Sequence, residues 1–247
     1  MNRISADDPQ WKLITFIPRE LLQGHTHALR RNMLWFGGLL LGLAAVVSLW
    51  LADARARRKR DEAALQKLAL YDALTGLPNR TLFDDRLSQT LADAERTQSE
   101  CSLLYLDLDG FKEVNDSLGH AAGDRLLKQV GERLKKHVRR SDTVARLGGD
   151  EFAILLRNTA GVKNACKVAL LLLRVMAKSF SIRNHQVEVT ASIGIAHYPD
   201  HGKGPGVLLR TADAAMYAAK QSGKNRYGIA GKDAMGQASL FDTSTWT

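Results

Sequence analysis

The sequence predicts an α+β domain, with helices packed on a mostly antiparallel central sheet and one transmembrane helix before it. Helical and strand-like periodicities alternate in the order helix, strand, helix, hairpin, helix, strand, helix, strand. Two β-favouring runs, 143–145 and 153–156, flank the pair Gly148-Gly149, a combination typical of a hairpin. Residues 33–51 contain no charged side chain.

The composition and net charge limit the classes of molecule that this chain is expected to bind. The chain has 247 residues and a net charge of +9, which suits nucleic acid, a nucleoside triphosphate or an anionic membrane surface. No DNA- or RNA-binding signature accompanies the charge, and the aromatic residues are too scattered to stack bases, so we expect no nucleic-acid partner. Cys101 and Cys166 lie in apolar patterns without metal-like spacing, which predicts buried thiols in a reducing compartment.

The N-terminal third predicts a membrane anchor. At helical rise, residues 33–51 span roughly 28 Å, close to the ~30 Å hydrocarbon thickness. Trp35 and Trp50 lie near the two ends, and the basic block 55–60 predicts that the following domain is cytoplasmic. The sequence predicts a helix over residues 52–71. This helix either pairs with the same helix of a second copy or is a charged linker that contacts anionic lipid. Residues 1–32 are an extracytoplasmic segment or a plain tail.

Two acidic clusters follow in the predicted domain. A strand over 102–106 runs into Asp107, Leu108 and Asp109, and a turn with Gly110 comes next. A single acidic strand end is often only solvated. Here it is matched by Asp150 and Glu151 at the hairpin, and two groups of carboxylate oxygens suit a magnesium–triphosphate complex, with turn amides for the phosphates.

The remaining segments complete the predicted fold. A loop over 72–80 precedes a helix with Asn79 as its cap. Residues 115–124 open a helix, and further elements are a helix over 162–178, a strand over 187–195 and a helix through 212–220. Residues 231–247 predict a disordered tail. Read from local pattern alone, these segments carry ordinary turn residues, helix-end charges and solvated lysines.

Five sequence motifs indicate more about this chain than local patterns do. They are D-A-L-T-G-L-P-N-R at 72–80, N-D-S-L-G-H-A-A-G-D at 115–124, G-G-D-E-F at 148–152, S-I-G-I-A at 192–196 and A-D-A-A-M-Y-A-A-K-Q-S-G-K-N at 212–225. Together they resemble the GGDEF family of diguanylate cyclases over residues 72 to about 229. The resemblance implies the palm-like fold of nucleotidyl cyclases and a bacterial inner-membrane protein. It also implies condensation of two GTP molecules into cyclic di-GMP and two pyrophosphates by a homodimer.

The resemblance also implies roles for individual residues. Metal ligands would be Asp107, the Leu108 carbonyl and Asp150 or Glu151, holding Mg²⁺ or Mn²⁺, two per GTP. Either Asp150 or Glu151 would help to deprotonate the attacking hydroxyl, and the sequence does not decide which of them does so. Lys112 would be a third catalytic residue. GTP would be bound by Gly110, Phe111, Lys112, Asn115, His120, Asp124, Lys220 and Lys224. Cyclic di-GMP would inhibit through Arg139 and Asp142. Lys224 stands where many members have arginine, so the charge remains but a two-pronged contact is lost.

The predicted organisation is an N-terminal segment at 1–32 resembling the end of a Cache-type sensor, a transmembrane helix at 33–51, a signalling helix at 52–71, the GGDEF domain at 72–230 and the tail at 231–247. An alternative is a silent GGDEF module that binds GTP or cyclic di-GMP and signals through a partner. That alternative predicts erosion of the acids, whereas Asp107, Asp150 and Glu151 are all present.

Overall fold

The computed structural model describes residues 19–231 and 235–237. The chain divides into two compact units, Met1–Ala63 and Ala64–Thr247. The predicted sensor remnant falls mostly on residues 1–18 and so lies outside the described residues.

A single helix, α1 (Arg19–Leu70, 52 residues), covers both the predicted transmembrane stretch and the predicted signalling helix. Within it, Leu29–Arg55 is long and apolar enough to cross a membrane, and none of its apolar core is buried against protein. The large apolar side chains from Leu29 to Trp50 are exposed. Only the length and composition of this helix indicate a membrane-spanning segment, so membrane crossing stays a prediction.

The second unit is built on a six-stranded sheet. The strands along the chain are β1 (Cys101–Asp109), β2 (Thr143–Gly148), β3 (Glu151–Leu156), β4 (Phe180–Ile182), β5 (His185–Val187), β6 (Thr190–Tyr198), β7 (Arg226–Ile229) and β8 (Met235–Gln237). The large sheet has the order β2-β3-β1-β6-β7-β8, and β4 and β5 form a separate hairpin. In the large sheet only β6 and β7 run parallel, so the expected mostly antiparallel sheet is confirmed.

Helices cover both faces of this sheet. They are α2 (Arg80–Thr97), α3 (Phe111–Leu118), α4 (His120–Lys136), α5 (Val162–Met176) and α6 (Pro205–Gln221). Side chains alternate along a strand, so β1 sends Leu104 and Leu106 into the cluster with α4 and α5, and Leu103 and Tyr105 into the cluster with α2 and α6. The core strand β1 is therefore buried on both faces, which positions its acidic C-terminal end firmly.

Close helix packing against β6 depends on Gly194. A Cβ at this position would overlap the Ala212 carbonyl oxygen and the Met216 backbone nitrogen of α6. The glycine of the S-I-G-I-A strand therefore allows α6 to approach to backbone contact.

Several predicted boundaries are wrong. Asn115 lies inside the separate short helix α3, and α4 begins only at His120, because Gly119 with φ 83° interrupts the helix between them. The strand predicted over 187–195 is β6 at 190–198, and Val187 ends the unpredicted hairpin β4–β5. Strand β8 lies within the predicted tail, so the expectation of disorder does not hold for its three residues.

Candidate active site

The two acidic clusters meet at one edge of the sheet. In the β1–β3 pairing Asp107 stands directly opposite Glu151, which places their side chains on the same face. The ladder between β1 and β3 ends at this pair, so Leu108 and Asp109 extend beyond β3. Asp150 lies in the turn between β2 and β3, after Gly149 with φ 47°.

Lys220, in the last turn of α6, reaches into this cluster. Its Nζ donates to Asp107 Oδ1 at 2.6 Å. Burial raises the pKa of Asp107, as do the charges of Asp150 and Asp109, and the Lys220 ammonium offsets this only in part. Burial by itself would lower the pKa of Lys220, but the hydrogen bond that Lys220 donates to Asp107 and the nearby carboxylates raise it overall. The ammonium therefore stays charged beside the acids.

Asp109 is a second buried acid, and it is fully engaged by hydrogen bonds. Its carboxylate accepts from Thr190 Oγ1 at 2.7 Å, Ser192 Oγ at 2.8 Å and the Asn225 backbone N–H at 3.1 Å. The carboxylate thus joins the end of β1 to β6 and to the turn after α6. Sequence reasoning missed this role; the serine of S-I-G-I-A, shared with the family pattern, was the one available signal.

Glu151 has its own support from the α2 side. The Arg80 guanidinium lies 3.9 Å from Glu151 Oε2. Tyr105, only 5% exposed, also contacts this carboxylate, and burial together with the Glu151 charge raises the pKa of Tyr105 to about 12. The phenol therefore stays protonated and offers a hydrogen to Glu151. Neither residue was among the predicted site residues.

Arg146 connects the hairpin turn to the loop after α1. Its Nε and Nη2 donate to the Gly149 carbonyl at 3.0 and 2.7 Å, and its Nη1 donates to both oxygens of Asp72 at 3.1 and 3.0 Å. Asp72 also accepts from the Thr75 backbone and hydroxyl. For Arg146 the sequence leaves open a phosphate contact or an ion pair with a neighbouring acid; the structure has an ion pair, with a partner 74 residues away in the chain.

Two of the predicted GTP-binding residues, Asn115 and Asp124, lie on the adjoining helices α3 and α4. Asn115 Oδ1 is buried without a hydrogen-bond partner and faces Gly123, where a Cβ would overlap it. The Phe111 ring closes the same gap. Asp124 follows Gly123 directly and is exposed, as is His120 at the start of α4. The Asn115 amide oxygen is thus buried where α3 meets α4, and the Asp124 carboxylate lies at the exposed surface beside Gly123.

The predicted phosphate-binding residues are spread around the cluster. Gly110 caps α3 with φ 81°, so Phe111 and Lys112 supply backbone N–H groups of its first turn. The Lys112 side chain is exposed. Lys224 does not continue the α6 face with Lys220, because the helix ends at Gln221 and Lys224 adopts a φ of 59° in the following turn. The two lysines are four residues apart, a spacing that would place them on one face of a continuous helix, but in the structure they do not share a helix face.

Arg139 and Asp142 lie in one tight turn after α4. The Asp142 carboxylate accepts from the backbone N–H groups of Arg139 and Arg157, at 3.0 and 3.2 Å. Two cavities of about 410 and 430 Å³ flank this turn, and Arg139 and Asp142 line both. Arg157 and Lys167 add positive charge to the first.

The donor chemistry at the β1–β3 edge fits magnesium. Among the described residues, no three acidic, His or Cys side chains converge into a ready-made cage. Magnesium, however, is usually held by one or two carboxylates together with substrate phosphates and water. Asp107 and Glu151, opposite each other, offer such a pair of hard oxygen ligands, and the Leu108 carbonyl belongs to the part of β1 beyond its β3 partner.

Comparison with known proteins agrees with this geometry. A family model described as diguanylate cyclase, GGDEF domain, matches residues 69–226. The chain belongs to the GGDEF family. Its domain superposes on the GGDEF domain of TpbB from Pseudomonas aeruginosa with a TM-score of 0.64 and 43% identity, covering 65% of this chain and 94% of that one. The predicted fold class is thereby confirmed.

Two further relatives extend the likeness. MucR of Pseudomonas aeruginosa, a bifunctional diguanylate cyclase/cyclic di-GMP phosphodiesterase, is 47% identical over 177 residues, 72% of this chain and 25% of MucR. The coiled coil and GGDEF domain of DgcB from Caulobacter crescentus, solved with cyclic di-GMP, matches with a TM-score of 0.65 and 29% identity, covering 74% and 99% of the two chains. The full-length diguanylate cyclase TpbB is 43% identical over 171 residues, and this chain spans 39% of its length.

Proposed function

We propose that this protein is a diguanylate cyclase, which joins two GTP molecules into cyclic di-GMP and releases two pyrophosphates. The observation that carries the proposal is the pairing of Asp107 with Glu151 across β1 and β3, with Lys220 held beside them. Relatives named as diguanylate cyclases support it. Because the chain spans a quarter to two fifths of those relatives, the activity of the whole proteins comes to this chain only as a proposal.

GTP would lie between the end of β1 and the α3–α4 junction. The guanine edge presents N1–H and N2–H donors, which the Asp124 carboxylate and the Asn115 amide suit, with His120 at the border. The unpartnered Asn115 oxygen supports this, since a buried acceptor without a donor is costly. The backbone around Gly110 and Phe111 would take phosphate oxygens at the helix N-terminus.

Charge neutralisation would come from this chain's lysines and from divalent cations. Lys112 and Lys224 are exposed near the ends of β1 and α6 and would receive phosphates, together with Lys220. Asp107, the Leu108 carbonyl, and Asp150 or Glu151 would hold Mg²⁺ or Mn²⁺, two per GTP. When bound, the metal supplies Lewis-acid stabilisation of the phosphoryl oxygens.

The protein's own contribution is positioning and proton removal. Asp150 or Glu151 would accept the proton of the attacking 3′-hydroxyl. Tyr105 and Arg80 orient Glu151, and Arg146 holds the carbonyl just before Asp150. An in-line displacement gains most of its rate from such fixed geometry.

One domain would hold one GTP, so the reaction requires a homodimer with two facing sites. The uninterrupted helix α1 gives each copy an element through which a second copy can be held, and its apolar stretch would anchor the dimer in the bacterial inner membrane with residues 72–230 in the cytoplasm. The GGDEF domain begins where α1 ends.

We also propose inhibition by cyclic di-GMP at the turn Arg139–Asp142. The flanking cavities and their basic lining, Arg157 and Lys167 included, support an anionic ligand. Since Asp142 holds two backbone amides, its replacement would disturb the turn itself. Arg139→Met is the cleaner test: it should raise the product concentration needed for half-inhibition while leaving the initial rate unchanged.

The proposed activity is tested by product analysis of the detergent-solubilised full chain with GTP and Mg²⁺ at several protein concentrations. Cyclic di-GMP formed at a rate that rises faster than linearly with protein is expected. A variant with Asp107→Asn, Asp150→Ala and Glu151→Ala serves as the control and should form none. GTP binding without product, even after fusion of residues 60–247 to a strong dimeriser, would instead support the silent signalling module.

A further inference from the structure

The ion pair between Lys220 and Asp107 has a consequence for the order of binding. We propose that the Lys220 ammonium competes with the divalent cation for Asp107 and transfers to the nucleotide phosphates when metal and nucleotide bind together. The inference rests on the proposed function, because it assumes that Asp107 ligates the metal. It makes Lys220 the residue that couples the two binding events.

The geometry makes the two cations mutually exclusive at one oxygen. Lys220 Nζ lies 2.6 Å from Asp107 Oδ1, and the Asp107 side chain is only 11% exposed. A metal bound through this oxygen would stand about 2.1 Å from it. Two positive centres would then be a few ångströms apart in a partly buried site, where their repulsion is strong. The ammonium must therefore move away when the metal enters.

Lys220 is built to move. It stands in the last turn of α6, one residue before the helix ends at Gln221, and its side chain is 34% exposed. Its flexible four-carbon stem allows the ammonium to swing. Two other acids interact with Lys220, namely Asp150 and Asp109. Asp109 already accepts from Thr190, Ser192 and the Asn225 N–H, and Asp150 is itself a proposed metal ligand.

An incoming triphosphate supplies the missing anionic partner. When nucleotide and metal bind together, Lys220 exchanges a carboxylate for a phosphate and loses no charge pairing. When the metal binds by itself, the ion pair is broken and no phosphate replaces it. By linkage, nucleotide must then strengthen metal binding and metal must strengthen nucleotide binding by the same factor. The Lys220–Asp107 pair thus disfavours a metal-loaded site without substrate.

The test measures Mn²⁺ binding to the full chain in detergent without nucleotide, from the electron paramagnetic resonance signal of free Mn²⁺. In a second titration, binding of a non-hydrolysable GTP analogue is measured at fixed Mn²⁺. For Lys220→Met we expect Mn²⁺ alone to bind about two- to fivefold more tightly, because its competitor is gone. The analogue should bind more weakly, because a phosphate partner is lost. The opposite signs identify the exchange.

Lys224→Met is the matched control. Its side chain is exposed in the turn after α6, so it should weaken analogue binding without changing the affinity for Mn²⁺ alone. Lys220→Arg keeps the competing charge and should leave Mn²⁺ affinity near the wild-type value. Lys220→Gln repeats the neutralisation with a second side chain, so a folding defect in one variant does not decide the result.

Unchanged or weaker Mn²⁺ binding in both neutral Lys220 variants would overturn the inference, and so would an equal gain in Lys224→Met, which would indicate a general charge effect. Product formation by the wild-type chain is measured separately. A wild type that makes no cyclic di-GMP would contradict the proposed function, while the Mn²⁺ titrations would still decide whether Lys220 and a metal compete for Asp107.

Discussion

The contact of Arg146 with Asp72 and the Gly149 carbonyl ties the GGDEF turn to the loop that follows α1. We expect Asp72→Asn to destabilise the domain and to slow turnover together. The substitution preserves the shape of the side chain and keeps one oxygen for the hydrogen bonds from Thr75. It removes the charge that holds the Arg146 guanidinium in place over the turn.

The magnitude follows from burial. The Arg146 and Asp72 side chains are 12% and 23% exposed, so the pair lies between a buried ion pair, whose breaking costs about 3–5 kcal/mol, and a surface pair worth at most about 1 kcal/mol. Because asparagine keeps some of the hydrogen bonds, we expect a loss of about 2 kcal/mol. For a domain of this size this corresponds to a Tm lower by about 4–8 °C.

The activity should fall for a separate reason. Arg146 supplies two donors to the carbonyl of Gly149, the residue directly before Asp150. A turn released by even about 1 Å misplaces the carboxylate, and such misplacement can cost up to about 100-fold in rate. We expect kcat for cyclic di-GMP formation to drop at least about tenfold, with a smaller change in KM.

Thermal melting and product assays on the full chain decide the matter. Asp93→Asn is the matched control, because Asp93 is 51% exposed and pairs only with the surface residues Arg96 and Arg157 among the described contacts. That control should melt within about 1–2 °C of wild type. A variant Asp72→Asn that melts and turns over like the control would refute the role assigned to Arg146.

Three further predictions concern the pH dependence of the Asp72 contact and two glycines of the domain. Burial by itself would raise the pKa of Asp72, but hydrogen bonds from Thr75 and Arg146 lower it overall. The stabilisation by the Asp72 charge is therefore present above the unfolded-state pKa of about 3.9 and is lost as the pH falls through the lower folded-state pKa. We expect the difference in Tm between wild type and Asp72→Asn to close below about pH 4. Gly123→Ala should displace Asn115 and weaken binding of GTP more than stability, measured by titration calorimetry beside a melting curve. Gly194→Ala, whose Cβ would overlap the Ala212 carbonyl, should cost about 1–3 kcal/mol in urea unfolding, and a wild-type midpoint would contradict the packing of α6 on β6.

Features encoded by neighbouring residues were predictable. Asn79 caps α2 as expected, with its Oδ1 accepting from the Leu82 N–H at 3.1 Å. The hairpin at Gly148-Gly149 and the strand that carries Asp107 follow from β-favouring apolar runs and turn chemistry, which act within a few residues. The family resemblance implied that Asn115 and Asp124 bind GTP, whereas their local pattern indicates only a turn residue and a helix-end charge.

The partners of the charged groups were not predictable in this way. Arg146 meets Asp72 across 74 positions, Lys220 meets Asp107 across 113, and Ser192 meets Asp109 across 83. Residues so far apart in the sequence meet in space only because β1 lies between β3 and β6 and because Gly194 allows α6 to approach the sheet. Strand order and helix packing depend on the whole core, whereas turns and caps depend on adjacent residues. Interactions between adjacent residues therefore determine the turns, caps and strand ends that carry the site residues. The order of the strands in the folded sheet determines which of these residues contact one another.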